Sequence, residues 1–285
     1  MRKLEFNLSG VGNLNLQQKL KQVQQRGSAL LAANFYNLET LRGILEAAAE
    51  NKSPIIVQVS KGSIEYMGLS VAASMTRSAL TEYGIEGWLH LDHATSIDLI
   101  QRCLDAGFDS VMIDASEKSI VENIKITRAV VKKAELYRAN VEAELGYIAK
   151  LGQSTVRTGF TDPEEARGFV AETGVHALAV AIGSAHGFYK QKPQLELDLL
   201  SRIRSMTDVC LVLHGASGIP DIDLKEAIRR GICKINIATE TKNIFMTTLK
   251  EEITHTSEID LRQVFPPAIR AVKELIKQKF HLINE

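Results

Sequence analysis

Three histidines stand at points where short apolar segments of the sequence end. His93 lies in WLHLDHAT, His186 in ALAVAIGSAHG and His214 in CLVLHGASG. Parallel strands bring their carboxyl ends to the same edge of a sheet, so imidazoles at these places are predicted to lie together. Three imidazole nitrogens with one open position form the ligand set of a catalytic zinc ion. The three positions together therefore predict a zinc site, although one of these histidines alone would be interpreted as a rim residue bonded to nearby backbone.

The elements that must position these histidines alternate between short apolar runs and longer amphipathic segments. Strands that are apolar on both faces and alternate with helices indicate a parallel sheet covered by helices. Eight such runs in 285 residues predict a (β/α)8 TIM barrel, with an N-terminal helix at 16–26 and a C-terminal helical extension from Pro266. A doubly wound sheet is the alternative, but ANFYNLET after the first strand lacks the glycine pattern of a dinucleotide site. The predicted strands are 29–34, 55–60, 88–92, 110–114, 141–144, 177–182, 211–214 and 232–236, and the helices between them are 38–51, 64–83, 97–106, 121–138, 163–173, 197–206 and 224–230.

Composition excludes several classes of partner. The 34 basic and 34 acidic residues give a formal net charge of zero, which argues against a nucleic-acid-binding face or a polybasic membrane anchor. No apolar run approaches the roughly 20 residues of a bilayer span, and the first residues lack the apolar core of a signal peptide. We therefore expect a cytoplasmic protein with a single domain over residues 1–285. Cys103, Cys210 and Cys233 stand in apolar runs and are predicted to be buried, reduced thiols.

Other polar side chains end the predicted strands, and in a barrel the carboxyl ends of the strands carry the active site. Asp92 directly precedes His93, and a carboxylate beside a metal is suited to exchanging a proton with a substrate hydroxyl. The alternative role for Asp92 is to orient a ligand imidazole. Asp114 is a candidate hydrogen-bond partner of a ligand, and we assign Asn34 and Ser60 to substrate binding.

Glycine-rich turns follow the sixth and seventh predicted strands as GSAHG and HGASG, and the eighth strand ends in NIATE. Backbone N–H groups in such turns, together with the hydroxyls of Ser217 and Thr239, are suited to binding a phosphate. This fold commonly binds phosphate near strands 7 and 8. The sequence therefore predicts a phosphate site next to the metal site.

The segments ANFYNLET, LDHAT, SVMIDAS, VEAELG, ALAVAIGSAHGFY, LVLHGASGI and KINIAT resemble, in this order, the motifs of the class II, metal-dependent aldolases that act on fructose or tagatose bisphosphates. The resemblance covers most of the chain and is greater to the tagatose/galactitol-type branch. It implies a lyase of carbohydrate metabolism that reversibly cleaves a phosphorylated ketose to dihydroxyacetone phosphate and an aldehyde. It also implies a homodimer or homotetramer.

The same resemblance implies roles for individual residues. His93, His186 and His214 would bind one catalytic zinc ion per chain, and Asp92 would handle the proton of the substrate C4 hydroxyl. Glu144 matches a carboxylate at an alternative or auxiliary metal position, and a monovalent cation, Na⁺ or K⁺, would bind near the phosphate. Zinc would stabilise the enediolate, so no lysine Schiff base is needed. The positions that match contacts to the phosphate and the enediolate are Gly187, Gly215, Ser217, Asn236 and Thr239.

The chain departs from the family pattern in two places. The loop YIAKLGQSTVRTGF after Glu144 has no carboxylate where the family has an acidic cluster, and Glu117 follows MIDAS where the family has a histidine. Protonation of the enediolate therefore lacks its expected acid, for which Glu142 and Glu117 are the nearest candidates. Lys150 and Arg157 on this loop are interpreted as solvated charges, the alternative being contact with an anionic group of the substrate.

The missing loop carboxylates leave two alternative functions open. One is a catalytically impaired paralogue that binds metal and sugar phosphate as a binding or regulatory subunit. The other is a barrel metal hydrolase, which is disfavoured because the paired-histidine strand motif of such enzymes is absent.

Overall fold

Eight parallel strands close into a barrel in this computed structural model, which describes residues 14–150, 159–187, 189 and 193–284. Each strand pairs with the strands before and after it in the chain, and the eighth pairs with the first. The (β/α)8 barrel predicted from the sequence is confirmed. The strands are β1 Leu30–Asn34, β2 Ile55–Ser60, β3 Gly87–Ala94, β4 Ser110–Ile113, β5 Asn140–Leu145, β6 Ala177–Val180, β7 Cys210–Leu213 and β8 Ile232–Ile237.

Helices cover the outside of the barrel and its amino-terminal end. They are α1 Leu16–Gln25, α2 Leu38–Asn51, α3 Lys61–Met67, α4 Leu69–Tyr83, α5 Ile97–Asp105, α6 Ile120–Glu135, α7 Pro163–Thr173, α8 Leu197–Met206, α9 Asp221–Arg229, α10 Thr239–His255, α11 Leu261–Val264 and α12 Pro266–Asn284. Two further segments, Ala149–Lys150 and Ala185–His186, pair with each other outside the barrel. Within the described ranges, no helix is both long and apolar enough to cross a bilayer.

The single helix predicted at 64–83 is wrong. The chain forms α3 and α4 instead, and Gly68 between them has φ +86° and ψ 134°. This backbone conformation is open to glycine and lies far from the helical region. Gly68 therefore separates α3 from α4.

Side chains that face the barrel interior recur at every second strand position, and their chemistry changes along the barrel axis. An apolar group of buried residues near the amino-terminal end packs against α1 and includes Leu30, Ile56, Trp88 and Cys210. The next level along the strands contains buried polar side chains, which are Gln58, His90, Glu142 and Lys234. A further two residues along, at the carboxyl ends of the strands, the interior-facing positions are Asn34, Ser60, Asp92, Asp114, Glu144, His214 and Asn236.

Helix α1 closes the amino-terminal end of the barrel. Leu16 and Leu20 on α1 pack into the apolar layer. The indole Nε1 of Trp88 donates to the carbonyl of Leu14 at 3.3 Å, and Gln24 Nε2 donates to the carbonyl of Val209 at 3.0 Å. The three cysteines are buried free thiols, as the sequence predicts.

Helix α12 lies on the outer wall of the barrel, where it packs against α2, α10 and β1. Its buried side chains include Val272, Ile276 and Phe280. The close approach of α2 depends on Gly43, since a Cβ there would lie 2.8 Å from both the carbonyl oxygen of Ile269 and Cβ of Val272. The C-terminal helix is thus fixed to the barrel by direct backbone contact.

We expect Gly43→Ala to lower the free energy of unfolding by about 1 to 3 kcal/mol, because the added methyl group must push α12 away from α2. Gly168→Ala in α7 is the matched control, since a Cβ at that helical position meets nothing within 4 Å. The control should leave stability unchanged or raise it by up to about 1 kcal/mol, through the higher helix propensity of alanine. Urea unfolding of the two variants measures both effects, and equal stability would contradict this account of the α2–α12 contact.

Candidate metal and substrate site

Four side chains with metal-binding atoms converge at the carboxyl ends of the strands. One ligand atom from each of His93, Glu144, His186 and His214 lies within 4.8 Å of every other. The three imidazole rings have centroids 4.7, 4.8 and 5.7 Å apart and lie close to perpendicular to one another. The structure thus brings together the four residues, three histidines and Glu144, that the sequence analysis assigned to metal binding.

The backbone of β3 explains how adjacent residues reach the same site. Neighbouring residues of a regular strand point to opposite faces, so Asp92 and His93 would normally diverge. His93, however, has φ +48°, and the pairing of β3 with β4 shifts register between Leu91 and Ala94. A left-handed conformation is costly for a residue with a Cβ, and strained residues of this kind are enriched at functional sites. Here the strained residue turns a second polar side chain toward the centre of the barrel mouth.

Two of the ligand imidazoles are held by carboxylates. His93 Nδ1 donates to Asp114 Oδ2 at 3.0 Å, and His214 Nε2 donates to Glu142 Oε1 at 2.7 Å. These bonds leave Nε2 of His93 and Nδ1 of His214 free to bind a metal, and these two atoms face each other at 2.9 Å. Carboxylates that fix the tautomer and the ring orientation in this way are typical of metal-binding histidines.

The electrostatics of the site favour a bound cation. Burial lowers the pKa of His93, but the negative charge of Asp92 and the hydrogen bond to Asp114 outweigh it and raise the pKa to about 9. Burial, followed by the negative charge of Asp114, raises the pKa of Glu144 to about 8. Burial lowers the pKa of His214, and the positive charge of His93 adds to this effect. Asp92 and Asp114 thus favour a positive charge at His93, the place where a bound metal ion would supply one.

These residues fit a zinc ion. Oε2 of Glu144 is buried and has no hydrogen-bond partner in the described part of the chain. A buried carboxylate oxygen without a partner is unfavourable, and a metal ion would provide that partner. Nitrogen ligands from three imidazoles with one carboxylate oxygen match the preference of zinc for mixed nitrogen and oxygen sites.

Asp92 lies next to the metal site and is itself oriented by two amides. Its Oδ2 accepts a hydrogen bond from Asn34 Nδ2 at 2.8 Å, and Asn34 Oδ1 accepts one from Gln58 Nε2 at 2.7 Å. Oδ1 of Asp92 is buried and has no hydrogen-bond partner among the described residues. Asn34, which the sequence assigned to substrate binding, therefore positions Asp92 while it also lines the cavity. Sequence analysis did not identify Gln58. Its position two residues before Ser60 on β2 predicts that its side chain faces the barrel interior.

The residues predicted to hold a phosphate line one small cavity with Asp92, His186 and His214. They are Gly187, Gly215, Ser217, Asn236 and Thr239. Asn236 also contacts one of the metal-binding histidines, since its Nδ2 lies 3.2 Å from Nε2 of His214. The structure thus places five of the predicted contacts around a common space.

Two features of this cavity suit an anion. Gly215 has φ +64°, and a Cβ there would lie 2.3 Å from the carbonyl oxygen of Ala185, so only glycine lets the turn after β7 approach the segment of His186. Helix α10 begins at Thr239, and its N-cap Ala238 offers no side-chain bond to the first turn. Ala238 and Thr239 at this helix end line the cavity, and the amino-terminal end of a helix favours negative charge.

Other predicted residues lie elsewhere. Ser60 does not line this cavity; its Oγ accepts a hydrogen bond from the N–H of Ser63 at 3.3 Å, and it faces a neighbouring cavity. Glu142 is not free to replace the missing loop acid, because Lys234 Nζ donates to its second oxygen at 2.7 Å. Glu117 is exposed in the turn after β4. The altered loop segment 151–158, with Arg157, lies outside the described residues.

Comparison with known proteins agrees with this site. The family model described as fructose-bisphosphate aldolase class-II matches residues 14–285. The chain is 38% identical over 268 residues to the D-tagatose-1,6-bisphosphate aldolase subunit GatY of Klebsiella oxytoca, covering 92% of this chain and 94% of that protein.

Two solved structures have the same fold along almost the whole chain. The YdjI aldolase of Escherichia coli K12 superposes with a TM-score of 0.85 at 35% identity, covering 94% of this chain and 96% of the other. A putative fructose-1,6-bisphosphate aldolase from Coccidioides immitis gives a TM-score of 0.87 at 30% identity, with 95% and 96% covered.

The chain belongs to the class-II fructose-bisphosphate aldolase family. It is therefore an aldolase, a carbon–carbon lyase of a zinc-dependent class, and the resemblance drawn from the histidine motifs is confirmed. Membership in this family also favours an active aldolase over a regulatory subunit.

We expect Asp114→Asn to weaken zinc binding by about 10- to 100-fold, because His93 loses the charged acceptor that fixes its ring. Competition with a chromophoric chelator measures the dissociation constant. Asp98→Asn, which changes an exposed carboxylate on α5, is the matched control and should bind zinc as the unmodified protein does. Equal affinities of the two variants would show that Asp114 does not support the ligand.

Proposed function

We propose that this aldolase reversibly cleaves a ketose 1,6-bisphosphate of the fructose or tagatose type, or a related ketose 1-phosphate, to dihydroxyacetone phosphate and an aldehyde. One observation carries the proposal. The free carboxylate oxygen of Asp92 lines the same cavity as His186, His214 and the first residues of α10. A proton acceptor, two metal-binding histidines and the amino-terminal end of a helix therefore line the same cavity.

Asp92 is proposed as the catalytic acid and base. In the cleavage direction its Oδ1 takes the proton of the C4 hydroxyl as the C3–C4 bond breaks, and in the synthetic direction it returns that proton to the new alkoxide. Asn34 keeps Oδ2 occupied, so proton transfer is directed to the other oxygen. Gln58 in turn holds the amide of Asn34, which prevents that amide from rotating away.

The phosphate of dihydroxyacetone phosphate is proposed to bind at the turns after β6 and β7 and at the start of α10. Backbone N–H groups near Gly187 and Gly215 and the hydroxyls of Ser217 and Thr239 supply donors. Asn236 is placed to contact the oxygens of the three-carbon unit from the floor of the cavity. This arrangement fixes the half of the substrate that becomes the enediolate.

His93, His186 and His214 are proposed to hold one zinc ion, and Glu144 is proposed as a further or alternative ligand. When bound, zinc supplies Lewis-acid polarisation of the substrate carbonyl and stabilises the negative charge that develops on cleavage. Asp114 and Glu142 keep the imidazoles of His93 and His214 oriented. We also propose a monovalent cation, Na⁺ or K⁺, near the phosphate.

Localisation, domain organisation and assembly are proposed from the same family. We propose a cytoplasmic protein with a single domain that assembles as a homodimer or homotetramer. Light scattering after size-exclusion chromatography measures the assembly, and a mass of one chain would contradict it.

Metal removal tests the proposed reaction directly. The zinc-loaded protein should release dihydroxyacetone phosphate from fructose or tagatose 1,6-bisphosphate in a coupled assay. Chelation should abolish the activity and added Zn²⁺ should restore it, because the polarising charge is lost and regained. Absence of product from the zinc-loaded protein with every bisphosphate and 1-phosphate tried would instead favour a binding or regulatory subunit.

We expect Asp92→Asn to reduce kcat by about 10²- to 10⁴-fold, since the amide cannot take the hydroxyl proton. The amide oxygen still accepts the bond from Asn34, so zinc content and binding of a dihydroxyacetone phosphate analogue should persist. Asp98→Asn is again the control and should retain activity. A kcat for Asp92→Asn equal to that of the control would exclude the assigned role.

A further inference from the structure

One tyrosine lies between two turns that carry proposed zinc ligands and phosphate contacts. The first, called here the β6 turn, comprises residues 183–187 and contains His186. The second, called the β7 turn, comprises residues 214–218 and begins with His214. Tyr189 follows the β6 turn, and its ring packs against the main hydrophobic core. None of the roles assigned above involves this side chain.

The hydroxyl of Tyr189 bonds to the backbone of both turns. It accepts a hydrogen bond from the N–H of Ala185 at 2.7 Å and donates one to the carbonyl oxygen of Gly215 at 2.9 Å. Ala185 directly precedes His186, and Gly215 directly follows His214. The hydroxyl therefore joins the residue before one proposed zinc ligand to the residue after another.

The backbones of the two turns also touch each other at this point. A Cβ at Gly215 would lie 2.3 Å from the carbonyl oxygen of Ala185 and 3.0 Å from its nitrogen. A Cβ at Gly218 would lie 3.4 Å from Cδ2 of Tyr189, so the tyrosine ring lies along the β7 turn. Tyr189 thus bonds to the two turns where they are already in van der Waals contact.

The β7 turn is fixed separately to helix α10. The N–H of Gly218 donates to Glu240 Oε1 at 2.8 Å, and the N–H of Glu240 donates to Ser217 Oγ at 3.4 Å. Glu240 also forms an ion pair with Lys279 of α12, with 3.1 Å between Nζ and Oε2. The β7 turn therefore has its own support, and Tyr189 links the β6 turn to this supported turn.

We propose that Tyr189 is a positioning residue that sets the spacing between the zinc site and the phosphate site. Its side chain does not line the cavity of the phosphate-binding residues. It acts through His186 and Gly187 in one turn and through His214 and Gly215 in the other. The inference rests on the proposed function, which assigns these turns to zinc and phosphate. A substrate that contacts both sites at once gains affinity only when their spacing matches its own length.

The test uses two ligands that differ in the number of sites they reach. Inorganic phosphate occupies the phosphate site alone, whereas phosphoglycolate carries a phosphate and a carboxylate and can reach the phosphate site and zinc together. The ratio of the Kd for phosphate to the Kd for phosphoglycolate therefore measures the gain from spanning both sites. Calorimetry on the zinc-loaded protein gives both constants.

The ratio is compared in the unmodified chain, in Tyr189→Phe and in Tyr137→Phe. Tyr137 is the matched control, since its hydroxyl also makes two hydrogen bonds, donating to Asp105 and accepting from Gln101. It lies between α6 and the start of β5, at the opposite end of the barrel from the site. Phenylalanine keeps the ring in both variants and removes only the hydroxyl.

We expect Tyr189→Phe to lower this ratio by about tenfold, because two backbone groups lose their common partner and the spacing of the turns is no longer fixed. Tyr137→Phe should keep the ratio of the unmodified chain. Equal ratios in the two variants would overturn the role of Tyr189 alone. An unmodified zinc-loaded chain that binds phosphoglycolate no more tightly than inorganic phosphate would instead overturn the proposed function of the two turns, and this inference with it.

Hydrogen exchange measures the same link without any ligand, and it separates a local effect from a less stable barrel. Peptides that contain Ala185 and Gly215 should exchange faster in Tyr189→Phe than in the unmodified chain, while peptides from β2, β3 and β4 keep their rates. Unchanged exchange at Ala185 and Gly215, or an equal increase in every strand, would contradict a positioning role for Tyr189.

Discussion

The ion pair between Glu142 and Lys234 is the contact on which the interior of the barrel depends. Both side chains are about 1% exposed, and an ionised carboxylate in such surroundings is tolerated only when its oxygens are paired. One oxygen accepts from Lys234 on β8 and the other from His214 at the end of β7, while Glu142 itself is on β5. The pair therefore links strands across the barrel and at the same time orients a metal ligand. The same contacts therefore stabilise the barrel interior and orient a metal-binding histidine.

This dependence explains why the chemistry of the interior changes in layers. The apolar layer closed by α1 fills the amino-terminal end of the barrel, and the polar layer above it holds charged groups that are paired with one another. The ligands and Asp92 come last, at the strand ends, where the backbone is free to deviate from regular pairing. A substitution in the middle layer would therefore alter the metal site without touching a ligand.

Sequence alone predicted the parts of this structure that follow from local pattern. The eight strands are evident because buried parallel strands are continuous apolar runs, and the inward phase of Asp92, Glu144 and His214 follows from a period of two. Other parts depend on contacts that no local pattern encodes. His186 belongs to a separate short strand beyond β6, Ser60 faces the adjoining cavity although it shares the phase of Asp92, and Gln58 acts only through Asn34. The break at Gly68 was missed because an isolated glycine in a helical pattern does not by itself show which backbone conformation it takes.

The left-handed residue His93 has a consequence for how the site behaves as it moves. Because Asp92 and His93 are consecutive, the proton-accepting oxygen and the first ligand are joined by one peptide unit, and Asp92 Oδ1 lies 4.0 Å from His93 Nε2. The separation of their Cα atoms is set by covalent geometry, and hydrogen bonds to Asn34 and Asp114 hold the two side chains, whereas His186 and His214 reach the site from other segments. A shift of β3 therefore moves the acid and this ligand together relative to the other two ligands.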